Sequence, residues 1–322
     1  MNILITGADG FIGSHLVDYL IKKNNKITAL SYYNSFNNLG WLNGKKNKNL
    51  KILSGDIRDQ DYCLKITKNK DVIFNLAAII SIPYSYLSYQ NCFETNTQGA
   101  YNICLGALKN KVSKVIQLST SEVYGTAEYT PINENHPKKA QSPYSASKIA
   151  SDAIADSFHY TYDMDITIAR PFNTYGPRQS LRAIIPTIIT QMINNKVVKL
   201  GNVSTKRDFT HVTDICRGLY LLMKSKRTKG EVFNIGSTKY YSIKQIFDTL
   251  KSITGSNVNL EIDKKRFRPD NSEVQILSCN YNKLKKVTGF APQISFKDGL
   301  RETVKWFRDN PNIYSRHNIY NI

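Results

Sequence analysis

The sequence predicts a doubly wound parallel α/β fold, and three observations lead there. Short β-rich runs alternate with helix-length segments through the first half, the strand-like runs are almost continuously apolar, and the first ends in a glycine-rich turn. Strands covered by helices on both faces need apolar residues throughout, which separates them from half-exposed strands of alternating polarity. Strands are expected at residues 2–6, 26–30, 51–54, 72–76, 114–118 and 166–169, with helices at 12–23, 59–67, 92–109 and 144–162 between them. After Arg170-Pro171 the alternation loosens. Helices are then expected at 183–194, 212–224, 242–254 and 296–308, and strands at 197–201 and 231–235. The 242–254 helix is the clearest of these: Ile243, Ile246, Phe247, Leu250 and Ile253 share one face, Ser242 can cap its start and Gly255 its end. Residues 34–49, rich in Asn, Lys and Gly, read as a surface loop.

A chain of 322 residues has room for about two structural units. Its longest apolar runs, such as 72–80, fall short of the roughly 18 residues a membrane span needs, and the opening run has no basic leader, so neither a membrane segment nor a signal peptide is expected. The five cysteines, Cys63, Cys92, Cys104, Cys216 and Cys279, are scattered without metal-ligand spacing. They read as free thiols in a reducing cytoplasm, with no metal site. Forty-four basic against 25 acidic residues give a net charge of +19, which raises the question of nucleic acid. The lysines lie in stretches such as Lys45-Lys46-Asn47-Lys48, without the aromatic-and-glycine pattern of a strand-binding module. They are read as a solvated basic surface with no nucleic-acid partner, and a field of this sign also draws anionic substrates.

Gly7, Gly10 and Gly13, with Phe11 and Ile12 between the last two, follow a strand and open a helix. That context directs helix N-terminal amides at a dinucleotide pyrophosphate. Where a carboxylate usually ends the second strand to take the ribose hydroxyls, the chain has Ser31, then Tyr32 and Tyr33. No arginine stands nearby in sequence to take a 2'-phosphate, so NAD is expected rather than NADP. Asp56, after the third strand, reads either as a contact to the adenine edge or as a turn or capping residue.

Tyr144 and Lys148 fall on one face of a helix. An ammonium beside a phenol favours the phenolate, lowers a pKa normally near 10 and makes Tyr144 a base for a sugar hydroxyl. A chain with 20 tyrosines offers such pairs by chance. This pair, however, lies downstream of a strand ending in Ser119-Thr120-Ser121 in a chain that opens with the glycine turn.

Together with Asn75-Leu76-Ala77-Ala78, Ser119 to Gly125, Arg170 to Arg178, Arg207-Asp208-Phe209 and Arg268-Pro269, these motifs make the chain resemble the extended short-chain dehydrogenase/reductases of the NAD-dependent sugar epimerase/dehydratase family, from Met1 to about Arg308. The resemblance implies a Rossmann domain for NAD at 1–170 plus about 209–237. It also implies a smaller α/β domain for a nucleotide-sugar at 171–208 plus about 238–310, and a tail at 311–322. Asp56, Ile57, Leu76, Ala77, Ala78 and Ser119 would join the glycines, Tyr144 and Lys148 around NAD. Asn173, Arg207 and Arg268 would contact substrate, and helices 92–109 and 144–162 would form a homodimer.

Finer features, Tyr33-Asn34-Ser35-Phe36-Asn37 and Thr120 to Ala127, resemble the legionaminic-acid-pathway 4,6-dehydratases, which act on nucleotide-linked N-acetylglucosamine. Tyr144 would then take the O4 proton, Thr120 would hydrogen-bond O4, and Glu122 would remove the C5 proton as the C6 hydroxyl leaves. Many sugar 4,6-dehydratases have aspartate where this chain has Ser121. Either Glu122 serves as base and acid, or Ser121 relays the proton. The Thr-Ser-Glu triplet also occurs in nucleotide-glucuronate decarboxylases, which leaves decarboxylation, and 4-epimerisation, as alternatives.

Overall fold

The computed structural model describes residues 1–267 and 273–314. Its first half contains β1 (Asn2–Thr6), α1 (Phe11–Ile21), β2 (Lys26–Tyr32), β3 (Leu50–Gly55), α2 (Gln60–Ile66), β4 (Val72–Asn75), α3 (Ile82–Leu87), α4 (Tyr89–Phe93), α5 (Gly99–Lys109), β5 (Lys114–Leu118), α6 (Pro143–Tyr162) and β6 (Ile166–Pro171). Then follow β7 (Asn173–Tyr175), α7 (Ile184–Asn194), β8 (Val197–Leu200), β9 (Lys206–His211), α8 (Val212–Lys224), β10 (Val232–Ile235), β11 (Tyr240–Ser242), α9 (Ile243–Thr254), β12 (Asn259–Ile262), β13 (Ile276–Leu277), α10 (Asn282–Thr288) and α11 (Phe296–Asp309).

Seven parallel strands in the order β3-β2-β1-β4-β5-β6-β10 form the central sheet, a doubly wound Rossmann arrangement. Alternate residues of β1 feed opposite layers: Ile3 and Ile5 pack with Leu16 of α1 and Leu219 of α8, and Leu4 packs with Ile103 of α5 and Ile166. Because the order reverses between β1 and β4, the loops leaving them part company, and a crevice opens at the carboxyl ends of the strands. The second unit is built on β9, which pairs with β7, β11 and β13, together with the β8–β12 pair. Its core joins α7, α9 and α11 through Ile185, Ile189, Ile246, Leu250, Val304 and Phe307.

Local chemistry explains the helix bounds that position the site. Helix α6 starts at Pro143, whose fixed φ suits the first turn, behind a capping box of Ser142 and Ser145. Helix α9 has the corresponding box of Ser242 and Gln245 and ends at Gly255 with φ of 68°. The helix expected at 92–109 is instead α4 and α5 joined by a π-helical stretch, Glu94–Gln98. That insertion turns Asn96 inward, where its Nδ2 donates to Ile79 O at 3.0 Å and Ser147 Oγ at 2.9 Å. Asn96 thus ties the segment after β4 to α6.

The surface loop expected at 34–49 is exposed along most of its length but is anchored at one point. A 3-10 turn at Gly40–Leu42 inserts Leu42, 0% exposed, into the main core, and the Trp41 ring lies edge-on to Trp306 of α11 with centroids 5.4 Å apart. The polar composition reflects asparagines that order the loop: Asn38 N donates to Asn34 Oδ1 at 3.0 Å and Leu39 N to Asn43 Oδ1 at 2.9 Å. Leu42→Ala is therefore expected to cost about 2–5 kcal/mol, read from denaturant unfolding; a surface loop would lose almost nothing. Among the described residues no helix is long and apolar enough to cross a membrane.

Candidate active site

The glycine turn lies at the crevice. Gly7, at φ of +62°, passes so close to the end of β4 that a Cβ there would lie 2.8 Å from Ala77 Cα. A Cβ on Gly13 would lie 2.1 Å from Gly7 O, so both positions need the smallest residue. Gly10 caps α1 with no side-chain hydrogen bond, which leaves first-turn amides for an anion. Phe11 and Ile12 are half-buried and pack against the core beneath. Thr6 braces the other wall: its Oγ1 donates to Asn75 Oδ1 at 2.7 Å and accepts from Leu76 N and Ala77 N, each at 3.0 Å. Asn75 Nδ2 in turn donates to Gln117 Oε1 at 2.8 Å. Leu76, Ala77 and Ala78 line this rim, half-buried. A glycine turn packed tightly against the segment after β4, below open helix amides, fits a dinucleotide.

Asp56 is engaged within its own turn. Its Oδ1 accepts from Arg58 N at 2.9 Å, and its Oδ2 from Arg58 Nε and Nη2 at 2.8 and 2.6 Å. Ile57 is buried under Gly99. Arg58 also brings Nη2 within 3.2 Å of the Tyr32 hydroxyl, so the fold places an arginine near the end of β2 where linear sequence showed none.

Tyr144, 7% exposed, stands on the first turn of α6. Thr120 hydrogen-bonds its phenol, and Thr120 Oγ1 also accepts from Glu122 N at 3.2 Å, capping the short 3-10 helix Ser121–Tyr124. Thr120, Glu122 and Tyr144 therefore converge. Ser121 is buried, and among the described residues the Glu122 carboxylate has no hydrogen-bonding partner. The expectation that Lys148 lowers the phenol is corrected: burial pushes Tyr144 well above its ordinary value, with Thr120 and then Glu122 the next influences. Lys148 shares the helix face but donates its Nζ to Leu118 O at 2.7 Å. Burial lowers the ammonium to about 8, while Asp152 draws it upward.

Beneath Lys148 lies a buried polar network that the motif reading missed. Asp152 Oδ2 accepts from Ser119 Oγ at 2.9 Å and from Arg170 Nη2 at 2.9 Å and Nε at 3.1 Å. Arg170 Nη1 donates to Tyr124 OH at 3.0 Å, and Tyr124 donates to Asn234 Oδ1 of β10 at 2.7 Å. The Ser119 hydroxyl thus faces this scaffold. The signal was present: Asp152 follows Lys148 at the same four-residue spacing that picks out the Tyr–Lys pair.

On the substrate side, the Asn173 Oδ1 is enclosed and, among the described residues, has no hydrogen-bond partner. Arg207, 6% exposed on β9, meets Glu273 Oε1 at 3.4 Å. Arg268 lies outside the described residues. Arg178 is taken up structurally, 2.8 Å from Asp18 of α1. Ile185 and Pro186, on the first turn of α7, are buried.

Fold and site define a class: a dinucleotide-binding α/β enzyme with a tyrosine and a carboxylate in one cleft. More closely, the chain belongs to the GDP-mannose 4,6 dehydratase family, whose model matches residues 4–303, within the extended short-chain dehydrogenase/reductases. It is 31% identical to a dTDP-glucose 4,6-dehydratase of Actinoplanes sp. over 96% of this chain and 98% of that protein. The dTDP-glucose 4,6-dehydratase of Streptomyces venezuelae, crystallised with NAD bound, superposes with a TM-score of 0.88 at 30% identity, over 98% of this chain and 99% of that one. The UDP-N-acetylglucosamine 4-epimerase of Methanobrevibacter ruminantium M1 superposes with a TM-score of 0.86 at 32% identity, over 96% and 98% of the two chains.

Proposed function

We propose that this protein is an NAD-dependent 4,6-dehydratase of a nucleotide-linked N-acetylglucosamine, acting as a cytoplasmic homodimer. The observation that carries the reaction is the convergence of Tyr144, Thr120 and the unpartnered Glu122 carboxylate. Gly7, Gly10 and Gly13 would hold NAD, which when bound would supply the reversible hydride chemistry of the cycle. Tyr144 Oη takes the O4 proton while Thr120 hydrogen-bonds that oxygen. Once C4 is a ketone, the C5 proton is acidified and lies within Glu122's chemistry; its removal expels the C6 hydroxyl as water, with Ser121 or Glu122 delivering the proton. Asn173, Arg207 and Arg268 of the smaller unit hold the nucleotide, arginine suiting diphosphate through its fork.

The finer substrate assignment rests on the resemblance of residues 33–37 and 120–127 to the legionaminic-acid-pathway enzymes. Ser121 supports a second reading, decarboxylation of a nucleotide-glucuronate, and the related 4-epimerase supports a third. Incubation with UDP- and GDP-N-acetylglucosamine is expected to give a product lighter by one water with no net reduced cofactor. Loss of carbon dioxide from UDP-glucuronate, or an isomer of unchanged mass, would move the assignment. Light scattering is expected to give twice the monomer mass.

The pH profile provides a further check. A Lys148 ammonium lowered to about 8 loses its charge as pH rises through that value. Turnover, kcat/KM, is expected to fall on that alkaline side. Lys148→Arg, which stays protonated, should remove that limb even if overall activity drops.

A further inference from the structure

We infer that Asp9, inside the glycine turn, supplies the carboxylate that reads the adenosine ribose of the dinucleotide, replacing the acid that ordinarily ends β2, and so sets NAD over NADP. The inference rests on the dinucleotide site proposed above. In the usual arrangement an acid at the end of β2 takes the ribose 2'-hydroxyl. Here that position is Ser31, 0% exposed, and its hydroxyl donates to Asp9 Oδ2 at 3.0 Å. Tyr32 N donates to the same oxygen at 3.3 Å. A carboxylate from the turn has therefore been drawn to the end of β2, where one from the strand would stand.

Its placement is held from three sides. Ala8 N donates to Leu30 O at 3.0 Å, and Asp9 O accepts from Trp41 N at 3.1 Å. Gly40 closes over the same carbonyl so tightly that a Cβ would lie 2.6 Å from Asp9 O. The two side-chain hydrogen bonds use Oδ2 alone; Oδ1 has no partner among the described residues, and the residue is only half-buried. A fixed carboxylate with one free oxygen is an acceptor for a diol, and it repels a 2'-phosphate carrying nearly two negative charges. Arg58, the cation the fold brings to Tyr32, does not offset this. Its guanidinium is 2.6 Å from Asp56 Oδ2 and 3.7 Å from Glu94 Oε2, so its charge is already paired.

Titration calorimetry of nucleotide-free full-length protein with NAD and, separately, NADP tests this without any turnover. Wild type is expected to bind NAD more tightly than NADP. Asp9→Asn keeps an acceptor for Ser31 and Tyr32 but removes the charge; loss of a charged hydrogen bond should weaken NAD about 10- to 100-fold, with NADP unchanged or tighter. Asp9→Ala combined with Ser31→Asp, which returns the acid to the strand, should restore the preference for NAD. The inference is overturned if wild type favours NADP, or if folded Asp9→Asn, judged by an unchanged melting temperature, keeps the wild-type ratio of affinities. It also fails if the folded double variant shows no preference. Failure of wild type to bind either dinucleotide would instead sink the cofactor site itself.

Discussion

Glu122→Gln is expected to stop the reaction halfway, with elimination slowed about 10²- to 10⁴-fold while oxidation at C4 proceeds. Reduced nicotinamide should then build up on the enzyme, visible by its absorbance once nucleotide-sugar is added. The replacement is nearly isosteric, and the carboxylate it removes has no hydrogen-bonding partner among the described residues, so the fold should be untouched. Tyr144→Phe should behave differently. It removes the phenol that Thr120 holds, so oxidation itself fails and no reduced nicotinamide appears. The contrast between the variants assigns one proton transfer to each residue. Wild-type elimination in Glu122→Gln would place the C5 base elsewhere.

Asp152→Ala is expected to lower stability by about 3–5 kcal/mol, because it leaves Arg170 buried with its ion-pair partner gone. Asp152 is 0% exposed and Arg170 2% exposed, and they are 2.9 Å apart. The pair links α6 to β6, and through Tyr124 and Asn234 to β10, so its loss loosens the floor beneath Lys148. Replacing both partners with apolar residues, Asp152→Leu with Arg170→Met, should recover most of the stability seen in chemical unfolding. A single Asp152→Ala variant as stable as wild type would show that the network contributes nothing. Removing Asp152 also removes the charge that holds the Lys148 proton, so the alkaline limb should move to lower pH.

Much of this architecture was legible because its determinants are local. The apolar runs of β1, β4 and β5 mark strands buried on both faces, and the capping residues Ser242 and Gly255 mark helix ends. Apart from β8, expected at 197–201, the strands of the second unit were not legible. Segments such as Lys206-Arg207-Asp208 carry charge in short stretches whose burial depends on partners far along the chain, as when Asp208 accepts from Ser237 N at 3.0 Å and Cys279 N at 3.2 Å. The π-helical stretch that turns Asn96 inward left no periodic mark either, since one extra residue per turn does not change composition.

The sequence by itself determined the doubly wound sheet, the glycine cradle and the placing of Tyr144 and Lys148 on one helix face, since each depends on spacing within a few residues. Tertiary structure alone decided that burial raises the Tyr144 phenol, that Leu42 anchors a polar loop and that Asp9 reaches Ser31. Desolvation and cross-strand hydrogen bonding arise only when distant segments meet, and linear spacing does not record those meetings.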